Sequence, residues 1–164
     1  MSKRFSLREF QQNVLNRLQV QATAGDRITT LGVQIGKGNW LVDMTEISEV
    51  LEMPNLTPVP LTRPWYRGVA NVRGNIYSIT DLAAFMQQGE TAPDAQSRVL
   101  LVGQKFSFNA GLLVTRVLGL RNAKDWQRSE EDGVERYQDE SGQVWTRLNI
   151  KQLLQQPEFL QIGA

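Results

Sequence analysis

Asp43, Asp81 and Asp125 are the acids on which a carboxylate-pair hydrolase would draw, and serines recur along the chain as nominal nucleophiles. The same 164 residues contain no histidine and no cysteine. A serine therefore has no imidazole to activate it, and thiolate chemistry and the commonest metal ligands are missing together. Nothing in the spacing pairs the three aspartates as a glycosidase-type dyad requires. Gly36-Lys37-Gly38 lies between two strand-like runs and not before a helix, so its glycines suit a turn and not a phosphate cradle. The acidic cluster Glu130, Glu131, Asp132 lacks the ligand spacing of a calcium loop. The expectation is a protein with no catalytic residues, no cofactor and no metal.

Recognition is the chemistry that remains, and it concentrates in YRGVANVRGNIYSITDL, residues 66–82. Gly68 and Gly74 permit tight backbone and close approach of a partner. Val69 and Val72 supply apolar surface, and Asn71 can satisfy backbone groups in a turn. Arg73 offers a planar fork of donors beside that surface, a combination common at interface hot spots. The alternative is an internal role, with Arg73 pinning Asp43 or Asp81. Trp65, just upstream, reads equally as groove wall or core.

These residues need a scaffold, and the composition allows one. The length suits one domain, or one domain in two lobes, and 41% hydrophobic residues can build a core. A net charge of +1 favours neither nucleic acid nor a membrane surface. Arg63-Pro64-Trp65-Tyr66-Arg67 is the one basic and aromatic cluster, and it keeps a small single-strand-binding β-barrel as the alternative of another class. No apolar run reaches the length of a membrane span, and the N-terminus lacks the pattern of a secretory leader, which predicts no direct membrane insertion and a cytoplasmic protein.

Residues 1–24 read as a helix, with Ser6 and Glu9 at capping-box spacing and Phe10, Val14, Leu15 and Leu18 on one face. From Ile28 the period becomes two. Leu31, Val33 and Ile35 alternate, as do Trp40, Val42 and Met44, on either side of a Gly36–Asn39 hairpin turn. Ile47, Val50 and Leu51 continue as a third strand. Prolines at 54, 58, 60 and 64 mark an extended connection. Residues 76–80 read as a strand and 82–86 as a short helix. Residues 87–97 have linker composition. Strands follow at 98–102, 109–114, 117–120 and 144–148, with the acidic stretch 130–140 as a solvated loop. Asn149 caps a last helix over 150–155. Trp40, Ile79 and Leu82 are core candidates. Many short strands with little helix suggest small barrels or a sandwich.

Trp65 to Leu82 resembles the signature of CheW-like chemotaxis coupling proteins, an aromatic residue followed by Gly-Val-x-Asn-Leu-Arg-Gly, an apolar strand and Asp-Leu, with Val72 in place of the leucine. The likeness extends over about residues 28–155. The long N-terminal helix and the wording around Arg63 to Gly74 look most like PilI-type members, which serve type IV pili and twitching motility. The general flagellar CheW type is the alternative. The resemblance implies an all-β fold of two five-stranded, SH3-like barrel lobes over residues 28–161, joined near 87–97, with residues 1–27 as a helical extension and a short C-terminal helix. It implies a non-enzymatic adaptor between the cytoplasmic tip of a chemoreceptor and a CheA-type histidine kinase, held at membrane receptor arrays through those partners. Gly68, Val69, Asn71, Val72 and Arg73 would contact the receptor, and Ile47 and Glu49, on the third strand, the kinase.

Overall fold

The computed structural model describes residues 29–163, so the helix expected over residues 1–24 lies outside the described residues. Strand β1 (Thr29–Ile35) turns through Gly36, at φ +60°, into β2 (Gly38–Asp43), and the register pairs Ile35 with Gly38. Glycine accepts that left-handed backbone without steric cost. A short 3-10 turn, Met44–Glu46, opens under Asp43, whose Oδ1 accepts from the Thr45 N–H at 2.9 Å. It leads to β3 (Ile47–Glu52). The proline-rich connection delivers the hairpin β4 (Tyr66–Val72) and β5 (Asn75–Asp81), and Asp81 then caps the single turn α1 (Leu82–Phe85). Strands β6 (Arg98–Val102), β7 (Ala110–Val114) and β8 (Arg116–Asn122) follow. The chain ends with β9 (Gln127–Glu131), β10 (Val134–Gln138), β11 (Val144–Leu148), α2 (Ile150–Gln155) and α3 (Pro157–Leu160). Asn149 caps α2 as its side-chain type predicts, accepting from the Gln152 N–H at 3.0 Å.

Among the described residues these strands form two sheets, ordered β8-β1-β2-β11-β10-β9 and β3-β6-β7-β5-β4. The mainly β, two-lobed architecture is the expected one. The first sheet carries six strands where five were expected. Two of the six are β9 and β10, a hairpin over residues 127–138 where the stretch 130–140 was expected to be a loop. Asp132 (φ +53°) and Gly133 (φ +78°) make its two-residue turn, an Asp-Gly pair suited to left-handed backbone at both positions. Residues 87–97 also differ from expectation. They join α1 to β6 within the five-stranded lobe and do not divide the lobes, because the chain enters that sheet at β3 and leaves it after β7.

A shared core lies between the sheets. Leu31, Val33 and Ile35 of β1 and Val42 of β2 meet Leu100 and Val102 of β6 and Ala110, Leu112 and Val114 of β7. Leu82, Ile150, Leu153 and Phe159 close its end. A second cluster, Ala70, Ile79, Val99, Leu101 and Leu113, fills the other side of the five-stranded sheet. Strands β6 and β7 are thus buried on both faces, which explains their unbroken apolar wording. Of the core candidates, Ile79 and Leu82 are fully buried and Trp40 packs at the edge of the shared core. Trp65 resolves as packing: its ring lies edge-on to Phe85 at 5.1 Å and stacks on Phe159 at 6.3 Å.

Candidate functional site

The β4–β5 hairpin turns in two residues, Arg73 (φ +50°) and Gly74 (φ +85°), between paired Val72 and Asn75. Asn71 Oδ1 accepts from the Gly74 N–H at 2.9 Å, as its place in the turn predicts. The turn projects Arg73 across the open side of the lobe toward β3. There Arg73 Nη2 donates to Glu49 Oε1 at 2.5 Å. The arginine is 49% exposed and the carboxylate 3%. The internal pairing weighed for Arg73 therefore exists with a different acid. Asp81 belongs to Arg67 (3.1 Å) and Asp43 lies 3.6 Å from Arg147.

The Arg73–Glu49 bridge spans a groove of about 280 Å³ between the hairpin tip, β3 and the Gly103–Lys105 segment. Ile47, Glu49, Val72 and Arg73 all line it, so residues assigned to two different partners share one cleft. Ile47 is also a buried member of the shared core and Glu49 is buried. Gly68, Val69 and Asn71 do not line the groove. Gly68 (φ +119°) sits where β4 meets the proline-rich connection, and a Cβ there would lie 2.2 Å from the Thr57 carbonyl oxygen. Val69 exchanges two backbone hydrogen bonds with Thr57. These two residues hold the hairpin against the connection, while Val72 packs half-buried against the second cluster and Arg73 reaches out at the turn.

Sequence reasoning missed Tyr77, Leu101 and Lys105, which complete the groove. Tyr77 was legible in principle: it alternates with Asn75 on the same face of β5. Lys105 left no signal, because a non-local turn brings it in. Glu49 Oε2 is buried with no hydrogen-bond partner among the described residues, an unsatisfied acceptor beneath the Arg73 bridge.

Two other ionic clusters stabilise the surroundings. Asp81 is wholly buried, accepts from the Thr91 N–H (2.8 Å) and Oγ1 (2.7 Å), and pairs with Arg67, which also donates to the Thr91 carbonyl. Arg67 is thereby engaged internally, and with Trp65 packed on Phe85 and Phe159, the 63–67 stretch presents no free basic and aromatic platform for single strands. In the six-stranded lobe Arg147 lies 3.6 Å from Asp43, Glu46 and Glu135. Burial, then the neighbouring Asp43 charge, raises the Glu46 carboxyl above its ordinary value, with Arg147 pulling the other way. Burial also acts to raise Glu135, but hydrogen bonds from Tyr137 and Arg128 and the nearby arginine charges outweigh it and hold that carboxyl below its ordinary value. No group of three or more acidic side chains among the described residues is placed to hold a metal ion. No helix among them is long and apolar enough to cross a membrane.

The CheW-like domain model matches residues 29–158. The chain is similar to the protein PilI of Pseudomonas aeruginosa, 34% identical over 105 residues, covering 64% of this chain and 58% of that protein. It is also similar to the chemotaxis protein CheW of Thermotoga maritima, at 29% identity over 63% of this chain and 67% of that one. With the protein FrzA of Myxococcus xanthus it shares 38% identity over 49% of each. The match to PilI thus spans less than two thirds of that relative's length. Among solved structures, the scaffolding protein TtCheW from Thermoanaerobacter tengcongensis superposes with a TM-score of 0.63 at 18% identity, over 75% of this chain and 89% of that one. That likeness shows the shared fold. The chain belongs to the CheW-like family.

Proposed function

We propose that this CheW-like chain is a non-catalytic, cytoplasmic adaptor that couples the cytoplasmic tip of a helical chemoreceptor to a CheA-type histidine kinase, within receptor arrays that control type IV pilus twitching motility. The observation that carries the reading is the bridged groove. A rigid two-residue turn holds Arg73 beside half-buried Val72, over a buried carboxylate that keeps one oxygen without a partner. Rigid donors and acceptors beside apolar surface suit recognition of a preformed helix, where little ordering cost falls on either side. The likeness to PilI supports the type IV pilus system over the flagellar type. Gly68, Val69 and Asn71 act by positioning the hairpin that carries Val72 and Arg73 toward the receptor. Ile47 and Glu49 contribute to the kinase side from β3, at the opposite wall of the same groove.

Calorimetry with the purified receptor tip and kinase tests this. The parent chain binds both and binds no ATP. Arg73→Ala loses about 30-fold or more in receptor affinity per folded molecule, since truncating a central interfacial arginine commonly costs about 2 kcal/mol or more. Parent-like receptor binding by Arg73→Ala, or micromolar ATP binding by the parent, refutes the reading.

A further inference from the structure

Strands β8 and β9 occupy opposite edges of the six-stranded sheet, yet only residues 123–126 join them. In a flat sheet those edges would stand about 24 Å apart. The five steps from Asn122 to Gln127 reach about 18 Å at most, so the sheet curls toward a barrel. The connector is a tight turn: the Lys124 N–H donates to Asn122 Oδ1 at 3.1 Å, and the Trp126 N–H to the Ala123 carbonyl at 3.1 Å. A cavity of about 230 Å³ lies against it. Trp126, Tyr137 and Leu41 give this cavity an aromatic and aliphatic wall. Trp126 is backed by Trp145, with ring centroids 5.7 Å apart, and Leu41 is almost fully buried. Lys124, Arg128 and Arg147 add three cations, and no acidic side chain lines the space. The cations are not equally engaged. Arg128 pairs with Glu130 at 3.3 Å and Glu135 at 3.1 Å. Arg147 meets Asp43, Glu46 and Glu135 only at 3.6 Å, beyond hydrogen-bond length, and its Nε is buried with no partner among the described residues. The Lys124 ammonium has no partner among them.

We propose that this cavity binds a small aromatic carboxylate, its ring against Trp126 and its carboxylate taking hydrogen bonds from Lys124 and the unused Arg147 donors. Aromatic walls with a few convergent charged donors are the usual make-up of a small-molecule site. A cavity of about 150 Å³ holds benzene, so one ring enters this space with room for its carboxylate. The acids nearby limit the charge it accepts. Asp43, Glu46, Glu130 and Glu135 outnumber the three cations, so no long-range field draws anions in. Affinity rests instead on directed, charge-assisted hydrogen bonds and on ring contact. A monoanion with an apolar body is therefore taken in preference to phosphate or another compact anion. Occupancy ties Leu41 of β2 to Tyr137 of β10 and to the connector, so a bound ligand links the first strands of the chain to the last. The inference is independent of the adaptor reading, whose groove lies on the other lobe.

The test titrates the full chain with benzoate, with the Trp126 indole N–H resonance as reporter and that of Trp65, in the separate Phe85–Phe159 cluster, as control. Benzoate is expected to shift Trp126 saturably, to leave Trp65 alone and to raise the melting midpoint. Lys124→Gln alters an exposed side chain, so it melts like the parent. It binds benzoate about tenfold more weakly, the loss expected of one hydrogen bond to a charged group. Benzyl alcohol, the same ring without the charge, binds about tenfold more weakly or worse, and acetate and phosphate leave the resonance in place. Absence of a saturable Trp126 shift with millimolar benzoate overturns the proposal. So does equal binding of benzyl alcohol, which would mean apolar uptake alone, or displacement of benzoate by phosphate, which would mean a general anion patch. Parent-like benzoate affinity in Lys124→Gln, or a Trp65 shift in step with Trp126, overturns it as well.

Discussion

The five-stranded sheet buries apolar clusters on both faces, whereas on the outer face of the six-stranded sheet buried Leu41 and Trp145 stand among ionic groups. On β7 the alternation reads Ala110, Leu112 and Val114 to the shared core and Leu113 to the second cluster. On β11 it reads Leu148 to the shared core and Trp145 and Arg147 away from it, with Arg147 among Asp43, Glu46 and Glu135. Opposite-charge pairs near the surface are each worth below about 1 kcal/mol, and a fully buried leucine several times that. The two lobes therefore draw their stability from different sources. The groove sits on the lobe with two apolar faces, where a rigid platform can hold a half-exposed arginine in one place.

Paired truncations break or confirm this contrast most directly. Leu112→Ala and Leu113→Ala delete side chains on opposite faces of β7, and each is expected to cost about 2–5 kcal/mol in denaturant unfolding. Glu135→Ala, on the outward face of β10, is expected to cost below about 1 kcal/mol. Equal losses across all three would erase the distinction. The exception inside the apolar lobe is Asp81, a charge with no solvent exposure. Asp81→Ala strands Arg67 and frees the Thr91 segment, for an expected loss of about 3 kcal/mol, somewhat reduced because Arg67 reaches water. Arg73→Ala is smaller, about 1–2 kcal/mol, since it leaves Glu49 buried beside a partner that was half exposed. Adding Glu49→Gln to Arg73→Ala removes the stranded charge, so the double variant is expected to be more stable than the single one. An additive double-mutant cycle would mean that the bridge carries no coupling.

The smallest effect belongs to the ionic cluster and depends on pH. The folded-state value of Glu46 lies above its ordinary 4.5, so the folded chain holds that proton more tightly than the unfolded one. The contribution favours folding below the ordinary value and is lost as pH rises through the folded value. Glu46→Gln is expected to raise stability slightly at neutral pH and to change nothing once the pH is below the ordinary carboxyl value. Melts at the two pH values decide it, and an equal gain at both would place the effect elsewhere.

The same contrast accounts for what the sequence made legible. Strands β1, β2, β6 and β7 announce themselves because burial imposes either alternation or an unbroken apolar run on them. The glycine turns and the Asn149 cap are local chemistry and were readable for that reason. The β9–β10 hairpin was hidden because every residue of β9 is exposed, and burial left no apolar pattern on it. Arg128 pairs with Glu130 and Glu135 there. Its one signal was Asp132-Gly133, obscured by the surrounding acids. In the candidate site the arginine, the turn and the Asn71 cap could be read, but Arg73's acid could not. Asp43 and Asp81 were the two acids weighed for it, and the pairing with Glu49 depends on how β3 folds back against the β4–β5 hairpin.

The chain crosses between the sheets twice, at Met44–Glu46 and at Thr115, whose N–H donates to the Gln34 carbonyl at 2.8 Å. Every strand of the five-stranded sheet consequently lies within one uninterrupted stretch, residues 47–114, while the six-stranded sheet must pair β2 with β11 across about a hundred residues. Long-range pairing of that kind is slow, and short-range pairing is fast. During synthesis the groove-bearing lobe is complete before β8 to β11 have been made. Until then β1 and β2 have only each other, a lone hairpin that is marginal in water. The molecule is thus assembled from its middle outward, and its two ends close around a part already formed.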